Sequence, residues 1–193
     1  GGRLMAATGT TARGEFLAGC RDEAPLLLGV APFGMIYGIA ALAAGVPAWL
    51  AQLASAVVFA GAAQLVIVQM LAAGAGFVPI ALTSGLLNLR HVLYSAALQP
   101  YVGQLGQAWR VPLAFGLTDE TFAVVQRRYL SRGMTEHGQW YHAGVALALY
   151  LSWISSSLVG ALFGHSVPNL AGWGLDFAML ATFIGIVVPA LRS

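Results

Sequence analysis

Pro47–Ala73 reads PAWLAQLASAVVFAGAAQLVIVQMLAA and contains no charged side chain. A helix needs roughly 20 mostly apolar residues to cross the hydrocarbon core of a bilayer. The run is continuous and lacks the period-two alternation of a barrel wall, so it predicts a membrane helix. Working outward, similar runs are Ala24–Ala44, Phe77–Leu98, Val111–Gln126, Tyr141–Phe163 and Trp173–Leu191. The expected fold is therefore all-α: a polytopic membrane helical bundle of six transmembrane helices, some of them broken. Residues 1–23 are expected to form a cytoplasmic amino-terminal segment, and residues 24–193 a transmembrane transport domain.

Composition agrees. Of 193 residues, 59% are hydrophobic and 8% charged, against about a quarter charged in a soluble domain. So few charges cannot cover a water-facing surface, and the exterior must face lipid. The net charge of +2 gives no reason to expect nucleic acid. Cys20 is the single cysteine, which excludes an internal disulfide. His91, His137, His142 and His165 show no metal-ligand spacing. No nucleophile-elbow, zinc-protease, phosphate-loop or dinucleotide motif occurs, so neither an enzyme nor a cofactor is expected.

Arginines set the orientation. Arg3, Arg13 and Arg21 precede the first span, Arg127, Arg128 and Arg132 follow the fourth, and Arg192 follows the sixth. With six spans these seven fall on one side, against Arg110 on the other. The positive-inside rule then puts both termini in the cytoplasm. Trp49, Trp109, Trp140 and Trp173 sit at span ends, as interfacial anchors do.

Ala31-Pro32-Phe33-Gly34 in the first span resembles Leu113-Ala114-Phe115-Gly116 in the fourth. If the two correspond, the chain is an inverted repeat of three helices with breaks at matching places, which points to a midplane transport site. The alternative is that Pro and Gly merely kink membrane helices.

The third span carries Ser84, Asn88, His91 and Ser95 on one helical face, flanked by Arg90 and Tyr94. A charge this deep faces protein or water, as a substrate clamp or as one half of an ion pair. Asp119 and Glu120 are its natural partners. Adjacent helical residues point about 100° apart, so one acid can pair with Arg90 while the other faces a cavity. Two acids against one arginine leave a carboxyl over for a proton carrier. The alternative is that the fourth segment, only 16 residues long, is re-entrant or interfacial and both acids are hydrated. A break at Phe33-Gly34 would expose amides to a carboxylate and carbonyls to an ammonium, and Gly61 with Gln64 would do the same in the second span. The alternative there is close packing, since Gly34-xxx-Gly38 is a helix-contact pattern, as is Gly160-xxx-Gly164. His91 is either a proton relay or a neutral hydrogen-bonded side chain. Asp176 caps the start of the sixth span.

Five motifs, in order, are Ala31-Pro32-Phe33-Gly34-Met35-Ile36-Tyr37-Gly38, Phe59-Ala60-Gly61-Ala62-Ala63-Gln64, Asn88-Leu89-Arg90-His91, Phe115-Gly116-Leu117-Thr118-Asp119-Glu120-Thr121 and Gly174-Leu175-Asp176-Phe177. Together they resemble the AzlC family, the large subunits of branched-chain amino-acid exporters associated with azaleucine resistance. The resemblance implies a proton-driven exporter of leucine, isoleucine, valine and methionine in a bacterial or archaeal cytoplasmic membrane. It implies a small AzlD-type membrane subunit as partner, and a chain that in the family extends past this carboxyl terminus. Phe33, Gly34, Gly61, Gln64, Asn88 and Arg90 are the candidate substrate-binding residues. Asp119, Glu120 and His91 are the candidate proton pathway. The rival readings are a passive amino-acid channel and a non-transporting scaffold subunit.

Overall fold

The computed structural model describes residues 11–163. The expected sixth span, with Trp173, Asp176 and the Gly174–Phe177 motif, lies outside the described residues, as do His165 and Gly164. Among the described residues there are seven helices and no strand: α1 (Ala12–Ala43), α2 (Ala48–Val57), α3 (Gly61–Ala72), α4 (Phe77–Val102), α5 (Gln107–Phe115), α6 (Asp119–Arg132) and α7 (Gly138–Phe163).

Thr11 starts α1: its side chain accepts a hydrogen bond from the Gly14 amide at 3.1 Å. The helix therefore begins well before the apolar run. It then continues without interruption through Pro25 and Pro32, and the break expected at Pro32-Phe33-Gly34 is absent. Both prolines are exposed, on the outer side of α1. In lipid no water competes for the freed backbone groups, so helix remains the best solution around a proline.

α1 and α7 form the spine. A Cβ on Gly19, Gly34 or Gly38 would strike Tyr141, Ser156 or Ser157, and one on Gly144 or Gly160 would strike Phe16 or Met35. The two backbones thus touch along their length, the close approach that small residues permit between membrane helices. Rising numbers on α1 meet rising numbers on α7, so the two helices run parallel. Ser55 Oγ and Ser157 Oγ, 2.8 Å apart, join α2 to the same wall.

The second span does not cross. Gln64 Nε2 donates to the carbonyls of Ala54, at 3.1 Å, and of Val58. A straight helix would separate residues 54 and 64 by about 15 Å. The chain instead turns back at Val58-Phe59-Ala60, and α2–α3 is a re-entrant hairpin. The fourth span behaves likewise. Trp109 at the start of α5 packs on Trp140 at the start of α7, with ring centroids 4.8 Å apart, and Phe115 reaches Tyr150. From there α6 returns, so that Tyr129 donates to the Gly138 carbonyl at 3.2 Å. α5–α6 thus enters and leaves on the face where α7 begins. Each half-helix has 9 to 14 residues, or roughly 14–21 Å, which is enough to reach mid-bilayer.

α4 is the crossing between the hairpins. Arg90 pairs with Asp119 and Tyr101 packs on Tyr129, so α4 and α6 run in the same direction. Leu82, Leu86, Leu89 and Leu93 form an exposed stripe on its outer face, where lipid replaces water. The described architecture is therefore crossing, hairpin, crossing, hairpin, crossing. α1–α3 and α4–α6 form the inverted pair. The matching breaks lie at residues 58–60 and 116–118, in the second and fourth segments rather than the first and fourth. The six-span count is corrected accordingly.

This correction improves the charge separation. Arg128 Nη2 lies 2.8 Å from Glu15 Oε2, which joins the start of α1 to the end of α6. The start of α5 is on that face too. Arg110, expected on the opposite side, therefore joins Arg13, Arg21, Arg127, Arg128 and Arg132. Two miscounted spans had preserved every other side assignment among these arginines.

Candidate binding site between two re-entrant hairpins

The two hairpin tips meet in the middle of the bundle. The ring of Phe59 stacks on that of Phe115, with centroids 6.1 Å apart and planes 30° apart. Beside this contact lies a cavity of about 100 Å³. Ala60, Gly61 and Ala62 at the start of α3 form one edge, and Thr118, Asp119 and Glu120 at the start of α6 form another. Arg90 and His91 of α4 line it, and Val30, Phe33, Leu65, Leu149 and Trp153 supply an apolar wall.

Non-helical backbone at membrane depth persists only where protein satisfies it. At the first tip Gln64 does this. Its Nε2 bonds the Ala54 and Val58 carbonyls, and its Oε1 accepts from Trp153 Nε1 at 3.1 Å. A Cβ on Gly61 would lie 2.7 Å from the Trp153 ring, so glycine is what admits the indole here. At the second tip Thr118 is the N-cap. Its hydroxyl accepts from the Thr121 amide at 3.4 Å and donates to Glu120 Oε2 at 3.0 Å.

The two half-helix starts differ. Acids already sit in the first turn of α6. Among the described residues no side chain caps α3, so its first amides, which have no intrahelical acceptor, stand at the cavity edge with the positive end of that helix dipole. Arg90 Nη1 lies 2.5 Å from Asp119 Oδ2, and the Tyr94 hydroxyl donates to Asp119 Oδ1 at 2.5 Å. Tyr94 stacks on Phe122 with centroids 4.4 Å apart. Asp119 is thus fixed by two partners. Among the described residues Glu120 takes its side-chain hydrogen bond from Thr118 alone, and Arg90 Nε has no hydrogen-bond partner.

Of the candidates read from sequence, Phe33, Gly61, Arg90, His91, Asp119 and Glu120 come together around this cavity. Gly34 instead packs against Ser156 of α7, and with α1 unbroken its amide stays within the helix. Gln64 is buried behind the tip with its amide fully engaged. Asn88 is half-buried, its Oδ1 has no hydrogen-bond partner among the described residues, and it does not line the cavity. Sequence reasoning passed over Thr118 as a cap and Trp153 as a wall. Thr118 followed by two acids is an N-cap signature. Trp153 is the tryptophan that stands mid-run rather than at an end.

Residues 25–167 match the AzlC protein family. The chain belongs to the AzlC family. It is 32% identical over 177 residues to the inner membrane protein YgaZ of Escherichia coli K12, covering 91% of this chain and 69% of that protein. It is 32% identical to a membrane protein of Helicobacter pylori, covering 88% of this chain and 75% of the relative. Its identity to the branched-chain amino acid transport protein AzlC of Bacillus subtilis is 26%, over 85% of this chain and 63% of that protein. No solved structure gives a significant match. As an AzlC member with large exposed apolar faces, the chain is a membrane protein.

Proposed function

We propose that this AzlC chain is the large subunit of a proton-driven secondary transporter that exports branched-chain amino acids. The observation that carries the reading is the pairing of unlike ends on one cavity. The uncapped α3 amides suit a carboxylate, and Glu120 suits an ammonium. Val30, Phe33, Leu65, Leu149 and Trp153 offer the apolar surface that an aliphatic side chain needs. A zwitterion with a branched hydrocarbon tail matches all three. Leucine, isoleucine, valine and methionine are the expected substrates. One methylene is worth about 1–3 kcal/mol in such a pocket, so they are separated only weakly.

Hairpins that enter from opposite faces give the site two gates. Rocking one hairpin against α1 and α7 opens one side, and rocking the other opens the opposite side, as in transporters built from inverted repeats with broken helices. Asp119 or Glu120 carries the proton, with His91 beside them, and Arg90 pairs with Asp119 or takes the substrate carboxylate in the alternate state. The arginine-rich face is the cytoplasmic one, with the amino terminus there, in a bacterial or archaeal cytoplasmic membrane. A small AzlD-type subunit completes the transporter.

The test is efflux of radiolabelled leucine from vesicles with and without an imposed pH gradient, with the small subunit present. Asp119→Asn and Glu120→Gln are compared with wild type at equal insertion. Gradient-driven efflux lost in one variant supports the reading and names the acid. Flux indifferent to the gradient makes the protein a channel. No flux of any amino acid overturns transport altogether.

A further inference from the structure

Glu23 of α1 does not line the cavity, yet it is the most buried acid described: its exposure is 0%, and among the described residues neither carboxylate oxygen has a hydrogen-bond partner. Burying an ionised carboxylate without a partner costs so much that such groups are kept neutral or are given a cation. Among the described residues Glu23 has no ion-pair partner. α1 packs against α7, α3, α2 and α6. α2 and α3 carry no ionisable side chain. From α6 the ionisable group whose charge reaches Glu23 is the Glu120 carboxyl. From α7 it is the Tyr141 hydroxyl, which is held by Asp22 at 2.8 Å. His142 lines a separate cavity with Leu98 and Leu117. Arg128 is already paired with Glu15.

The register explains the meeting with Glu120. α1 and α6 are antiparallel and joined by Glu15–Arg128. Glu23 follows Glu15 by eight residues, and Glu120 precedes Arg128 by eight, so the two carboxyls stand at a similar height on neighbouring helices. Glu23 therefore lies on the arginine-rich side of the cavity. Its chain neighbours Arg21 and Asp22 are exposed, and they line an open depression with Arg128 and Arg132.

We propose that Glu23 is a proton-binding site that relays protons between the central cavity and the arginine-rich face. The step is simple. A proton leaving Glu120 is taken up by the Glu23 carboxylate, one O–H bond breaking as another forms, and because Glu23 is fully buried and does not itself line the depression beside Asp22, its release there requires α1 to shift against its neighbours. Each carboxylate feels the other's charge, and like charges in a low-dielectric interior disfavour ionising together, which favours one proton shared between the two sites. This inference rests on the transport reading of the same cavity, but its first test does not.

The first measurement is infrared difference spectroscopy of the purified full-length protein in lipid across a pH titration. A protonated-carboxyl band should be present in wild type and lost in Glu23→Gln; a spectrum unchanged by the substitution overturns the proposal. The second is leucine transport in proteoliposomes containing both subunits. In Glu23→Gln, pH-gradient-driven transport should fall roughly tenfold or more, while leucine counterflow without a gradient persists. Glu23→Asp, which keeps the acid, should restore part of the coupled rate. Coupled transport that survives Glu23→Gln overturns the relay. Counterflow absent from wild type overturns the transport reading and the relay with it, and the infrared band then reports only a buried neutral acid.

Discussion

The Phe59 ring rests on the Phe115 ring where two hairpins from opposite faces of the protein meet, with centroids 6.1 Å apart. Both residues stand at helix breaks, and each break places the start of a half-helix on the central cavity. The contact is the seam along which the two inverted units touch, so it joins fold to site directly.

Topology is the first thing to check. In a Cys20→Ser background, single cysteines replace Gly45, Ala75, Gln104 and Thr135. An impermeant thiol reagent should label positions 104 and 135 from one face, and 45 and 75 from the other. Six full crossings would instead separate 104 from 135 and 45 from 75, and that pattern would overturn the re-entrant hairpins.

Gln64 holds the first tip closed. Gln64→Leu leaves the Ala54 and Val58 carbonyls and the Trp153 indole without their partner. With about 1–3 kcal/mol for each buried group left unpaired, a loss of roughly 3 kcal/mol in stability is expected. Thermal unfolding in detergent reads this directly. An unchanged midpoint would mean that the tip is held by something else.

The Arg90–Asp119 pair separates architecture from transport. Either Arg90→Met or Asp119→Leu alone strands a charge and should cost about 3 kcal/mol, the low end for a buried pair because both side chains keep some exposure. The double variant should recover much of that stability without recovering leucine efflux. Recovery of both would make the pair a packing device only.

Two glycines on α1 should respond with opposite sign. Gly38→Ala drives a methyl into the Ser157 carbonyl and the Ala161 amide, backbone that cannot swing aside. A loss of about 1–3 kcal/mol follows from such overpacking. Gly29→Ala meets nothing within 4 Å and should gain roughly 0.5–1 kcal/mol from helix propensity. Parallel melts of the two variants check the α1–α7 contact.

Much of the site was legible. Arg90, Asp119 and Glu120 are charges within apolar runs, and a charge there must find a partner or a cavity, so the pair and its spare acid could be read from residue type alone. Gly61 and Phe33 were found through motifs, and both line the cavity. Gln64 is expected, with Gly61, to serve a helix break that holds the substrate. Its partners are the carbonyls of its own hairpin, and sequence cannot tell a substrate from a nearby backbone.

The sequence by itself determined that the chain is helical, lives in lipid, belongs with AzlC proteins and gathers its arginines toward one face. Composition and run length suffice for the first two, because the bilayer demands satisfied backbone and few exposed charges; the family rests on the five motifs, and the arginine face on where those residues fall between the runs. Only the tertiary structure decided which runs cross. A 27-residue apolar stretch such as Pro47–Ala73 has the same composition whether it spans once or dips and returns. What separates the two is whether the residues at the break can be satisfied. Gln64 reaching back to Ala54, and Thr118 capping α6, make that possible only in the folded chain. The same is true of Glu23: its place in the sequence is the end of an expected cytoplasmic segment, and its burial exists only because α1 packs against α7 and α6.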